Sequence, residues 1–166
     1  MKITIANLKH SPSLSEETHA FTATILIDGV RAFEASNHGT GGPDAYHTVK
    51  GYTGPSPIEV DTWLKTNTPQ IEAYGMKLDN SMEIVVGDLI NAELVRKDFM
   101  RKVKAKILVL DSTGEKPVIY AYKAKPTPEA IAQYRAAIAA GKIKGELVND
   151  GDEALYARAI AAMTDQ

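Results

Sequence analysis

Cysteine is absent from the 166 residues, which removes disulfides, thiolate nucleophiles and thiolate metal ligands. The same absence fits a reducing compartment, so a cytoplasmic location is expected. Charge of one sign is lacking as well. Nineteen Lys and Arg stand against twenty-one Asp and Glu, a net of −2, which gives no global attraction to nucleic acid or to an anionic membrane. No apolar run approaches the roughly 20 residues that span a bilayer. The opening Met1-Lys2-Ile3-Thr4-Ile5 is too short and too alternating for a secretory h-region. No membrane association is therefore expected. Internal repeats and low-complexity tracts are missing too.

What remains is an average globular composition. A chain of this length fits a single α+β domain over residues 1–166, able to bury roughly 70% of its unfolded surface without metal or disulfide staples. Residues 2–8 alternate weakly and predict a short strand, followed by a polar loop over 11–18. Phe21, Ala23, Ile25 and Ile27 alternate with Thr22, Thr24 and Leu26. Asp28-Gly29 then supplies the two positive-φ positions of a type I′ hairpin turn, with Val30 to Ala35 as the return strand. Ser56-Pro57-Ile58-Glu59 is a capping box with proline at the first helical position. The helix it opens places Val60, Trp63 and Leu64 on one face, with Trp63 expected in the core.

An irregular stretch then leads to the longest helical signal, Ser81 to Lys104, where Met82, Val86, Leu89, Ile90, Leu94, Phe99 and Val103 keep helical spacing. Ile107–Leu110 and Val118–Tyr122 predict a second hairpin. Thr127-Pro128-Glu129 opens a helix that Gly141 closes. Residues 142–148 predict an edge strand, and Asp152 and Glu153 begin a terminal helix, where carboxylates suit the macrodipole. Hairpins outnumber βαβ units. A mostly antiparallel sheet with about four helices packed on it is the expected architecture.

The segment from Ser36 to Thr53 departs from core-building sequence. It holds Asn37, His38, Gly39, Thr40, Gly41, Gly42, Asp44, Tyr46, His47 and Tyr52, and it follows directly on a predicted strand. Loops on rigid scaffolds carry function because packing does not dictate their side chains. The glycines can present backbone N–H groups as an anion-binding nest, although neither a Walker A sequence nor a dinucleotide fingerprint is present. His38, Asp44 and His47 have the chemistry of a metal triad or of a histidine–carboxylate acid–base pair. No fourth protein ligand is evident, the acid–base reading calls for a serine nucleophile such as Ser36 nearby, and two exposed loop histidines are the favoured account of the pattern. Arg96, Lys97, Arg101, Lys102, Lys104 and Lys106 form a basic segment at a helix end. Such residues complement the helix dipole or meet a phosphate backbone. Asp98 interrupts the segment, and no interleaved aromatics offer base stacking.

The strand–Asp28-Gly29–strand hairpin, followed by Ser36-Asn37-His38-Gly39-Thr40-Gly41-Gly42, resembles a group of small bacterial and phage proteins. In that group a similar hairpin leads into a serine/asparagine and glycine-rich turn. Glu83-Ile84-Val85-Val86-Gly87-Asp88-Leu89, running into Arg96-Lys97-Asp98, resembles a later helix of the group. The likeness implies a phage-type accessory or inhibitor protein that works by binding a host component. It brings no catalytic residues with it.

The expectation from these readings is a non-enzymatic binding protein. It engages a host protein or a small phosphorylated ligand through residues 36–53, with Arg101 and Lys102 as auxiliary contacts and no cofactor. Two alternatives belong to other classes. One is a His/Asp-dependent hydrolase or phosphoryl-processing enzyme centred on His38, Asp44 and His47. The other is a nucleic-acid-binding domain using the basic helix end at 96–106. Nothing in the sequence speaks to oligomeric state.

Overall fold

The computed structural model describes residues 1–73 and 75–164. Every strand pairing among them is antiparallel, and four α-helices accompany three sheets. This is an α+β fold. The chain divides into two compact units, Met1–Ala92 and Glu93–Gln166.

The first unit is built on a four-stranded meander, β1 (Ile3–His10), β2 (Ala20–Ile27), β3 (Val30–His38) and β4 (Ala45–Thr48), paired in that order. The Asp28-Gly29 turn forms as its residues require, with φ of 50° and 84°. Asp28 Oδ1 also accepts from the Lys2 N–H at 2.7 Å, which ties the turn to the start of β1. Phe21, Ala23, Ile25, Ile27, Phe33 and Ala35 are buried. So are Val60 and Leu64 of helix α1 (Pro57–Asn67), while Trp63 is only half-buried. The capping box at Ser56 and Glu59 is complete, with both reciprocal hydrogen bonds made. A small hairpin, β5 (Ile71–Ala73) with β6 (Met76–Leu78), lies in the stretch expected to be irregular.

Helix α2 (Met82–Ala105) begins in the first unit and ends in the second. Its first turn is held by the Asp61 carboxylate, which accepts from the Met82 N–H at 2.6 Å. Met82, Val86 and Ile90 are buried at helical spacing.

In the second unit β7 (Ile107–Asp111) is central, flanked by β8 (Val118–Tyr122) and β9 (Glu146–Leu147). The edge strand expected over 142–148 contracts to β9, followed by a single 3₁₀ turn at Val148–Asp150. Ile107 through Leu110 are all buried, so β7 reads as a continuous apolar run and not as an alternation. Phe99 and Val103 of α2 cluster with Leu108, Leu110, Val148, and Ala159 and Ala162 of helix α4 (Glu153–Thr164). Tyr156 packs edge-on against Phe99 at 5.5 Å. Helix α3 (Pro128–Ala139) is capped by Thr127, and its Tyr134 meets Tyr122 edge-on at 5.0 Å. No helix among the described residues is long and apolar enough to cross a membrane.

Candidate functional site

Two strands enter the segment expected to be one open loop. β3 runs on to His38, and residues 45–48 form β4, so Asn37, His38, Tyr46 and His47 stand on strands. The connection that remains is short, Gly39 to Asp44.

Asn37 organises it. Alternation puts Asn37 on the same buried side of β3 as Phe33 and Ala35, and only 8% of it is exposed. A buried amide must satisfy two donors and two acceptor positions. Asn37 Oδ1 accepts from the Thr18 hydroxyl at 2.9 Å and from the Gly39 N–H at 2.8 Å. Its Nδ2 donates to the Gly42 carbonyl and to Asp44 Oδ1, both at 2.9 Å. One side chain therefore pins the start, crest and end of the connection. Gly39 is required at its place: φ is 87°, and a Cβ there would lie 2.1 Å from the Leu14 carbonyl oxygen. The Gly39 carbonyl in turn accepts from the N–H groups of Glu16 and Glu17 at 2.9 Å. Thr40, Gly41, Gly42 and Pro43 are left exposed as a formed crest.

The surroundings are acidic. Asp44 Oδ2 accepts from the Tyr46 hydroxyl at 3.0 Å. Burial, then the Asp44 charge, pushes the Tyr46 phenol far above its usual range, so it stays a donor. The Glu83 carboxyl is pushed up by desolvation, then by Asp44 and Asp61. Asp44 and Glu83 line a cavity of about 190 Å³ together with Thr18, His19, Asn37 and Gly87. Two of the N–H groups an anion nest would use are engaged, Gly39 by Asn37 and Gly41 by the Thr18 hydroxyl at 3.4 Å.

His38, Asp44 and His47 are not brought together. In the register His47 lies opposite Glu34 and Ala45 opposite Ser36, so His47 and His38 share the outer side of the sheet. Asp44 is held from the inner side by Asn37 and Tyr46. Among the described residues no group of three or more His, Asp or Glu side chains is placed to hold a metal ion. Tyr52 packs edge-on against Phe33 at 5.6 Å, as a core residue would.

The other two histidines do meet. Ser15 Oγ donates to the Ser11 carbonyl at 2.8 Å, so it accepts from His10 Nε2–H at 3.2 Å. The same nitrogen faces His19 Nδ1 at 3.2 Å, and His19 Nε2 donates to Asn91 Oδ1 at 2.8 Å. Ser15 and His19 thus both face His10 Nε2. These contacts join β1 to α2 through His10, His19 and Asn91. Asn91 is 72 residues from His19, and no local pattern signals the pair.

The basic segment is largely neutralised within the second unit. Arg96 makes a two-pronged pair with Glu153 at 3.0 and 3.1 Å, and Lys97 meets Glu93 at 3.6 Å. Arg101 and Lys102 both engage Asp98. Hydrogen bonds from Lys102, then from Arg101, hold the Asp98 carboxyl below its ordinary value. Arg101 and Lys102 lie in the second unit and the Asn37 connection in the first. No family model matches the chain, and neither a curated protein nor a solved structure matches it.

Proposed function

We propose that the protein is a non-enzymatic binding protein, and that the Gly39–Asp44 crest of the first unit is its contact surface for another protein. The observation that carries this reading is the fully used Asn37 amide beneath an exposed turn. An exposed loop tied at three points by a buried side chain keeps one shape, and a preformed shape lowers the entropy that association costs. The host-protein partner implied by the resemblance fits better than a phosphorylated ligand. Glu17 lies against Gly41, Asp44 ends the crest with Glu83 lining the cavity beside it, and the N–H groups of Gly39 and Gly41 are already bonded. The first unit holds six cations against eleven carboxylates, so the complementary partner face is basic.

Neither rival has comparable support. His38 and His47 stand on the side of the sheet opposite the groups that hold Asp44, and Arg96, Lys97, Arg101 and Lys102 of the basic segment are paired.

The test is a crest substitution that leaves the clamp intact. Gly42 has an ordinary φ, and the space a Cβ would enter there is open, so Gly42→Arg keeps the fold while adding bulk and positive charge. Capture from a bacterial lysate with wild-type bait, followed by mass spectrometry, identifies the partner. Its retention should be lost with Gly42→Arg bait. Undiminished retention of the same partner by Gly42→Arg would remove the crest from the contact.

A further inference from the structure

We propose that the second unit carries a binding site for a medium-chain aliphatic carboxylate, in the groove between the β7–β8 hairpin and α4. The groove has a volume of about 700 Å³, inside the range of about 300–1,000 Å³ typical of small-molecule sites. Its buried floor is Leu110 and Ala162, both members of the unit's core cluster. The apolar core thus reaches the surface here. It does so because α4 offers only the methyl groups of Ala161 and Ala162 where larger side chains would close the gap. Pro117 and Val118 form the opposite wall, and Val118 is 37% exposed, an apolar side chain with room for a partner.

The polar lining of the groove sets the ligand class. Its charged lining residues are Lys116 and Arg158, and no carboxylate lines it. Arg158 is held in place by Glu146, whose Oε2 accepts from Nη2 at 2.6 Å. A guanidinium has five N–H donors, so one bond to Glu146 leaves it able to meet a second carboxylate. The Ser112 hydroxyl adds a neutral donor at the same groove. An apolar trough whose only charged lining residues are two cations matches a molecule with an aliphatic tail and a single anionic head. The cavity of the first unit, with Asp44 and Glu83 in its lining, has the opposite character.

Titration of the full chain with octanoate and decanoate, far below their micelle concentrations, tests the assignment by calorimetry and amide chemical shifts. Saturable one-to-one binding is expected, with shifts concentrated at Leu110, Val118 and Ala161. Each added methylene should tighten binding about fourfold. Ala161→Phe fills the groove from an exposed position and should abolish binding while leaving the thermal transition in place. Lys116→Glu should weaken decanoate and spare decanol. Absence of saturable binding, binding indifferent to Ala161→Phe, or decanol held as tightly as decanoate would each overturn the proposal.

Discussion

Each of the two units turns on one asparagine, and the two side chains are put to opposite uses. In the second unit Asn149 Nδ2 donates to the Val103 and Lys106 carbonyls at 2.7 and 2.8 Å, and its Oδ1 accepts from the Leu108 N–H at 2.7 Å. It serves the carbonyls that a helix end leaves without intrahelical partners and joins the end of α2 to β7. Asn37 makes four bonds to Asn149's three and directs three of them at an exposed turn. One amide closes a core, and the other holds a surface outward. Charge divides the same way: the first unit nets −5, and the second nets +3 with much of its basic segment paired internally. A polar side chain tied to a helix end is explained by stability alone. One that shapes an exposed turn has a further use available to it.

The sharpest way to break this comparison is to remove both amides. Asn37→Ala and Asn149→Ala should each lower stability by about 2–3 kcal/mol, because buried partners are left unsatisfied. Denaturant melts measure that loss. Only Asn37→Ala should also abolish partner capture; equal loss of capture in both would mean that global stability, and not the crest, controls binding.

A smaller effect separates the units by pH. Desolvation, Asp44 and Asp61 raise the Glu83 carboxyl, so its ionisation works against the fold. The fold keeps its full advantage below the ordinary glutamate value and loses it as pH rises through the elevated one. Glu83→Gln should therefore raise stability at neutral pH by at most about 0.5 kcal/mol, with the gain vanishing in acid. Asp98 is lowered by Lys102 and Arg101, and its sign is reversed. Its contribution is present above the ordinary aspartate value and fades as pH falls through the depressed one. Asp98→Asn should cost at most about 0.5 kcal/mol at neutral pH and nothing in acid. Melting curves at two pH values decide both; matching signs would refute the contrast.

Much of the scaffold was legible because local chemistry and burial agree there. Asp28-Gly29 can make its turn almost alone, Ser56 and Glu59 complete their box, and the apolar spacing of α2 survives for all 24 residues. The candidate site was legible as a place but not as an arrangement. Glycine and proline around residues 39–43 concealed β4, a strand of four residues whose pattern is set by pairing with β3. Asn37 looked like a loop residue from its type. Its phase carried the better signal, since the alternation of Phe33 and Ala35 continues onto it. The His10–His19–Asn91 contacts and the Asp44–Asp61–Glu83 field join distant segments, and only tertiary structure places them together.

Hydrogen exchange at the Gly39 amide tests most directly whether the crest is a held shape. That N–H is bonded to a buried oxygen of Asn37, so it should exchange as slowly as the amides of β3 itself. Exchange at the rate of an unstructured glycine would show a connection free to move, and the preformed contact surface would have no basis.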